Sequence, residues 1–146
     1  MTTMIRITVG AVIAAGLAFT SANAAEHKLK ASLDAKQEVP ANPSGGRGTA
    51  EFTVNDTTKE VSWKVTFEGL TGQASAAHIH GPADAGVNAG VITALVGVPG
   101  APLKSPLEGK ATITDAQIAD ILAGKSYVNV HTIANRGGEI RGQITK

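Results

Sequence analysis

The chain has 146 residues, of which 13 are basic and 12 acidic, with a formal net charge of +1 and no cysteine. This near-neutral balance argues against nucleic acid or an anionic membrane surface as a partner. The lack of cysteine excludes disulfides and thiolate zinc sites, so any metal site must use histidine, carboxylate or main-chain ligands.

The first 24 residues predict a secretory signal peptide. Arg6 is the only charged side chain before an apolar stretch, Ile7 to Thr20, which gives way to small residues. A basic start, an apolar run and a small-x-small exit are typical of export signals, and Ala22 and Ala24 fit the small positions. The apolar run is short for a helix that spans a bilayer. We therefore expect cleavage after Ala24 and a single periplasmic or secreted domain over residues 25–146, with no membrane partner.

Short strands separated by glycine- and proline-rich loops are predicted for the rest of the chain. The clearest strand covers residues 61–68, where every second residue from Val61 to Phe67 is apolar. Asn55 to Thr58 predicts a hairpin turn before it. Val91 to Val96 is a continuous apolar run, which predicts a strand buried on both faces. Further strands are predicted over residues 27–35, 51–54, 74–80, 127–132 and 139–145, with loops over 36–48, 81–90 and 97–106.

One short helix is predicted near residues 115–123. Thr114 is a plausible N-cap with Gln117 three residues on, as in a capping box, and Gly124 is a good C′ residue. The apolar residues Ile118, Ile121 and Leu122 fall on one helical face. Six to eight strands with one helix predict a mostly β protein, either a β-sandwich or a Greek-key barrel.

Histidine is the residue type that indicates a ligand site. His78 and His80 are two apart on a predicted strand, so their side chains leave the same face. His131 lies on the penultimate strand and shares a face with Tyr127 and Asn129, which could support it. If the two strands are neighbours, three imidazoles converge on one ion, and imidazole suits copper, zinc, iron and nickel. The alternative is that these histidines are solvated residues on the wet face of a strand.

His27 suggests a separate copper site. After cleavage at Ala24 the chain would begin Ala25-Glu26-His27. A free amine, two deprotonated amides and an imidazole offer four nitrogens in a square plane, which Cu(II) and Ni(II) prefer. The alternative is an ordinary exposed histidine at a frayed terminus.

Four other charged residues are candidates for supporting roles. Asp84 follows His80 in a glycine-rich loop, where it could be a fourth ligand, could orient a ring, or could cap a turn. Glu38 lies just beyond the first predicted strand and is a further candidate ligand. Glu139 and Arg141 are two apart on the last strand and predict an exposed ion pair, which would stabilise the fold little.

Four sequence blocks together resemble the CHRD domain, which is widespread in exported bacterial proteins. They are Gln37-Glu38-Val39-Pro40, Ala77 to Pro82, Tyr127 to Thr132 and Gly138 to Ile144, in that order. The resemblance spans roughly residues 26–146 and implies an immunoglobulin-like or Greek-key β fold. It implies little about activity.

The three histidines are also similar to the copper-site arrangement of Cu/Zn superoxide dismutase. That enzyme uses further histidines, an aspartate and a disulfide, whereas this chain has no cysteine and one histidine besides the three. The comparison disfavours a two-metal dismutase and leaves a single-metal site.

These observations favour a binding module over an enzyme, because nucleophile elbows, phosphate loops and dinucleotide motifs are missing from the sequence. The leading hypothesis is one copper ion, or zinc instead, held by His78, His80 and His131 for periplasmic metal handling. One alternative is a copper-dependent redox enzyme of dismutase type, since three histidines leave a coordination position open. The other is a structural or adhesive module that binds another envelope protein without metal.

Overall fold

Eight strands and one short α-helix form the part of the chain that the computed structural model describes, residues 25–96 and 102–146. The predicted signal peptide lies outside these residues. The helix α1 spans Asp115–Leu122, and a 3₁₀ turn spans Ala35–Gln37. The strands are β1 (Glu26–Asp34), β2 (Arg47–Asn55), β3 (Glu60–Glu68), β4 (Ala74–His80), β5 (Val91–Ala94), β6 (Leu107–Thr112), β7 (Tyr127–Thr132) and β8 (Ile140–Gln143).

All eight strands belong to one antiparallel sheet in the order β5-β4-β7-β8-β1-β2-β3-β6. The sheet is nearly closed and is barrel- or sandwich-like, so the prediction of a mostly β fold is confirmed. One face of each strand is turned inward, because side chains alternate along a strand. The inner face carries a continuous apolar core that includes Leu33, Phe52, Val65 and Ile79, and each such side chain contributes about 1.5–3 kcal/mol by burial.

The helix follows the capping prediction. The hydroxyl of Thr114 accepts a hydrogen bond from the Gln117 N–H at 3.3 Å, and the Gln117 side chain accepts one from the Thr114 N–H at 2.9 Å. Gly124 follows the C-cap with φ +74°, a conformation that glycine adopts without a Cβ penalty. Ile118 and Ile121 are buried against the core.

One strand prediction is wrong, and one strand was missed. The apolar run at residues 91–96 is not a doubly buried strand, because β5 ends at Ala94, stands at the end of the described sheet, and leaves Val91 56 % exposed. A continuous apolar run has no alternation, so periodicity alone does not show whether the strand lies at the edge or in the middle of a sheet. The missed strand is β6, which follows the predicted 97–106 loop and pairs with β3. Residues 97–101 of that loop lie outside the described chain.

The last strand is also shorter than predicted. β8 covers Ile140–Gln143, and Thr145 makes only an isolated bridge to Lys30 of β1. Glu139 therefore precedes the strand.

The neighbouring strands β4, β7 and β8 carry a polar layer on their outer face. Val128, Val130 and Ile140 point into the core from these strands and have no exposed surface. The side chains on the opposite face alternate with them and lie beneath loops. We call this set the polar layer: His78, His80, Tyr127, Asn129, His131 and Arg141.

Candidate metal centre

The pairing of β4 with β7 brings His78, His80 and His131 together. His78 lies opposite Asn129 and His80 lies opposite Tyr127, so His131 is one pair further along the same face. One nitrogen from each histidine lies within 4.8 Å of the others. The convergence that the sequence predicted is therefore present in the folded chain.

Main-chain carbonyls contact two of the three histidines. Nδ1 of His131 lies 2.9 Å from the Arg136 carbonyl oxygen, and Nδ1 of His80 lies 3.0 Å from that of Ala89. A carbonyl only accepts, so Nδ1 of His131 is the donor and its Nε2 keeps its lone pair. His80 can donate from Nδ1 to Ala89 or from Nε2 to Asn129, whose Oδ1 lies 3.2 Å from that Nε2. Neither carbonyl was recognisable from the sequence, because both belong to loops that fold back over the sheet.

His78 and His131 already share a hydrogen bond. Nδ1 of His78 lies 2.9 Å from Nε2 of His131. Since the proton of His131 is on its Nδ1, His78 is the donor in this contact. A hydrogen atom thus lies between two of the nitrogens that would bind an ion.

The cluster is close to the spacing that a metal ion requires. Zinc–nitrogen bonds of about 2.0–2.1 Å place tetrahedral ligand nitrogens roughly 3.3 Å apart. The His78–His131 separation of 2.9 Å is shorter than that spacing by about 0.4 Å, and 4.8 Å is the upper limit for the other two separations. Binding an ion would lengthen the first separation slightly and shorten each of the others by at most about 1.5 Å.

The surroundings favour neutral imidazoles. Burial lowers the pKa of His78 to about 4, and the neighbouring His131 and His80 act in the same direction. Burial also lowers the pKa of His131, although the Arg136 carbonyl opposes the change. Neutral imidazole is the form that binds metal, so few protons compete with the ion near pH 7.

Tyr127 and Arg141 stack on the cluster. The rings of His80 and Tyr127 are parallel within 3°, with centroids 4.8 Å apart. The guanidinium carbon of Arg141 lies 3.4 Å from the Tyr127 ring centroid, which is a cation–π contact. Both residues are buried. The hydroxyl of Tyr127 accepts a hydrogen bond from the Ala89 N–H at 3.2 Å, which fixes the carbonyl that orients His80.

Asn129 and Glu38 complete the buried polar surroundings. The side-chain oxygen Oδ1 of Asn129 lies 3.2 Å from Nε2 of His80 and can only accept a hydrogen bond from it. Burial raises the pKa of Glu38 to about 7, opposed by the charge of Arg141 and by hydrogen bonds from Asn129 and the Val39 main chain. Glu38 is buried and is not part of the histidine cluster.

The predicted ion pair between Glu139 and Arg141 is wrong. Both residues are buried, not exposed. The carboxylate of Glu139 accepts five hydrogen bonds from Ser44, Thr71, Thr132 and Asn135, at 2.5–3.1 Å. Burial acts to raise the pKa of Glu139, but these donors outweigh it and lower the pKa to about 2. Loops distant in sequence supply three of the donors, so strand parity alone could not have found them.

Arg141 is instead fixed by the loop between β4 and β5. Its Nη1 donates to the Asn88 side chain at 3.0 Å and its Nη2 donates to the Val87 carbonyl at 2.7 Å. Asn88 also donates to the Val39 carbonyl at 2.9 Å, which joins this loop to the one after β1. Sequence analysis missed Asn88, and no motif marked it among the glycines and alanines of its loop.

Two other candidates lie apart from the cluster. His27 is on β1, and its Nε2 lies 3.2 Å from a carboxylate oxygen of Asp56. Asp84 forms an exposed ion pair with Lys125 at 2.7 Å. Neither belongs to a described group of potential ligands. The amine-terminal copper site at Ala25 stays a prediction, because it depends on where the signal peptide is cut.

Comparison with known proteins identifies one family. The CHRD domain profile matches residues 29–144. No curated protein and no solved structure matches the chain. Within the residues the structure describes, no helix has the length and apolar character needed to cross a membrane. CHRD domains are typical of exported proteins, and this chain belongs to the CHRD domain family.

Proposed function

We propose that this protein is an exported module that binds one copper ion, or zinc in its place, through His78, His80 and His131, and handles that metal in the periplasm or outside the cell. The observation that carries the proposal is the convergence of three nitrogens within 4.8 Å on one sheet face. No other residue type at the cluster competes for this role, since the described ligand group contains histidines alone.

The state of the histidines supports the proposal. The main-chain carbonyls of Ala89 and Arg136 contact Nδ1 of His80 and Nδ1 of His131, and metal-bound histidines usually make such a second contact. His78 and His131 have lowered pKa values and are neutral near pH 7. Imidazole nitrogens suit copper and zinc, and three of them leave a coordination position for a small ligand.

A structural role is the second candidate, and one observation favours it. The same hydrogen bonds that orient His80 and His131 also attach the loops at Ala89 and Arg136 to the sheet. Histidines with only this role would stabilise a surface for another envelope protein, and metal would be irrelevant. The two roles differ in what happens when copper or zinc is added.

Metal content and titration of the mature protein, exported from its own signal peptide without a tag, test the proposal. We expect about one copper or zinc per chain on the basis of one three-ligand site. His27→Ala, which removes the predicted amine-terminal copper site, should still bind about one ion per chain. Adding His80→Ala to that variant should abolish stoichiometric binding. A protein that takes up neither ion, or a His80→Ala variant with unchanged affinity, would contradict the proposal and favour the structural role.

A further inference from the structure

A stack of three groups connects a fixed positive charge to the candidate metal centre. The Arg141 guanidinium lies 3.4 Å from the Tyr127 ring centroid, and the Tyr127 ring is parallel to His80 at 4.8 Å. The face of an aromatic ring carries negative electrostatic potential, so the cation is held against Tyr127. The positive field of Arg141 therefore reaches the histidine that would bind the ion.

Arg141 cannot move its charge into solvent. The residue is 1 % exposed, and its two terminal nitrogens donate to Asn88 and to the Val87 carbonyl. A guanidinium stays protonated throughout the accessible pH range. The charge is thus permanent and fixed in position. Because the guanidinium is buried, the effective dielectric constant around it is low, which strengthens its electrostatic interactions.

No anionic ligand balances this charge at the cluster. The described ligand group consists of three histidines and no carboxylate. The carboxylate of Glu139 is held by hydroxyl and amide donors away from the cluster. Glu38 is the carboxylate that acts on Arg141, and within the described residues the two form no ion pair within 4.0 Å.

We propose that Arg141, acting through the Tyr127–His80 stack, makes the three-histidine site select monovalent copper, Cu(I), over divalent copper and zinc. The repulsion between a fixed cation and a bound ion scales with the charge of the ion, so a divalent ion is penalised twice as much. The three imidazoles add no negative charge that would cancel this repulsion. This inference rests on the proposed function, and it assigns Arg141 as a residue that sets specificity without touching the ion.

Separate affinity measurements for the three ions test the inference. Cu(I) is measured under anaerobic, reducing conditions by competition with a chromophoric chelator, and Cu(II) and Zn(II) are measured by competition with chelators of known affinity. We expect Arg141→Gln to raise the affinity for divalent ions relative to Cu(I) by on the order of tenfold. Arg141→Lys keeps the charge and should restore most of the wild-type ratio. Lys110→Gln, which removes an exposed cation on β6 at the far end of the strand order, is the control.

Glu38→Gln provides a test in the opposite direction. Because the pKa of Glu38 is about 7, the affinities are compared at about pH 8.5, where the side chain is a carboxylate. The change then removes the negative charge that partly offsets Arg141 while keeping the shape of the side chain, so the preference for Cu(I) should increase. Near-ultraviolet circular dichroism checks that each variant is folded. If Arg141→Gln does not fold, Glu38→Gln and Arg141→Lys decide the question. The proposal expects a stronger Cu(I) preference in Glu38→Gln and a ratio near that of the wild type in Arg141→Lys, and an unchanged ratio in Glu38→Gln would overturn it.

The outcomes separate this inference from the proposed function. One result would support the metal site and overturn the selectivity. In it, wild-type protein binds Zn(II) or Cu(II) as tightly as Cu(I), the ratios are unchanged in Arg141→Gln and Glu38→Gln, and binding is lost in His80→Ala. Protein that binds none of the three ions would overturn both. A Cu(I) preference that falls in Arg141→Gln and rises in Glu38→Gln supports both.

Discussion

The outer face of the sheet has two regions that follow the same strand alternation and reach opposite results. On β2, β3 and β6 the outward side chains stay in water and pair across strands, as in Arg47 with Glu68 at 2.7 Å and Lys110 with Glu60 at 2.9 Å. On β4, β7 and β8 the outward side chains are the polar layer, which loops cover. Exposed pairs of the first kind stabilise a protein little, whereas buried polar groups must be satisfied or they destabilise it.

The comparison shows where this chain accepts a cost in desolvation. A buried layer that contains histidines, an arginine and two nearby carboxylates destabilises the fold unless every polar group has its hydrogen-bond partner. A simpler apolar face would have packed the same loops. The two regions therefore differ in how far the stability of the fold depends on complete hydrogen bonding, and the predictions below test that difference.

Glu139→Ala should have the largest effect. The change leaves five donors from Ser44, Thr71, Thr132 and Asn135 without their acceptor. We expect the free energy of unfolding to fall by about 3–5 kcal/mol, as measured by urea denaturation. Glu68→Ala on the exposed face is the matched control, with an expected loss below about 1 kcal/mol. Equal losses in the two variants would remove the distinction between the regions.

Acid should destabilise the protein through the same carboxylate. The folded-state pKa of Glu139 is lowered from 4.5 to about 2, so its contribution is complete above the unfolded value and is lost as pH falls through the folded one. Between about pH 5 and pH 2 we expect a loss of about 3 kcal/mol from this group. Denaturation at several pH values measures it, and Glu139→Gln should show a flatter profile over that window. An unchanged slope in the variant would assign the acid sensitivity elsewhere.

Gly138→Ala should destabilise the protein by about 2 kcal/mol, because two penalties combine. Gly138 has φ +131°, a conformation that favours glycine, and an added Cβ would overlap the Glu38 carboxylate. Its neighbour Gly137 has open space where a Cβ would be added, so Gly137→Ala is the control. Thermal unfolding of both variants checks the prediction, and similar midpoints for the two would contradict it.

The exposed pair of Lys110 and Glu60 should give the smallest effect. Both side chains are well exposed, at 68 % and 37 %. A double-mutant cycle with alanine at each position should give a coupling energy below about 1 kcal/mol that decreases further in high salt. A coupling of several kcal/mol would mean that the two outer regions do not differ as described.

Local pattern was enough to predict the elements that build the site. The predicted bounds of β4 and β7 match the structure, so the shared face of His78, His80 and His131 followed from alternation alone. The capped helix was equally predictable, because its signals lie within ten residues. These are features in which sequence neighbours are also the structural partners.

Contacts between distant segments were not predictable. The roles of Glu139 and Arg141 depend on loops around Ser44, Thr71 and Asn88, and no spacing along the chain reveals that those loops cover the sheet. β6 was missed because Leu107 to Thr112 alternates weakly and contains Gly109, which accommodates the Trp63 ring of β3. The exposure of β5 to solvent likewise follows from its place at the end of the described sheet, which no local pattern reveals.

The pairing of β4 with β7 has a consequence for when the site comes into existence. His78 and His131 are separated by 53 positions, with β5, β6 and the helix between them. Forming a contact between residues so far apart in sequence is slow, because the chain loses conformational entropy before the contact stabilises it. A chain still being synthesised has His78 and His80 before it has His131 in place. The complete histidine cluster is therefore a property of the finished domain and not of any segment that folds before it.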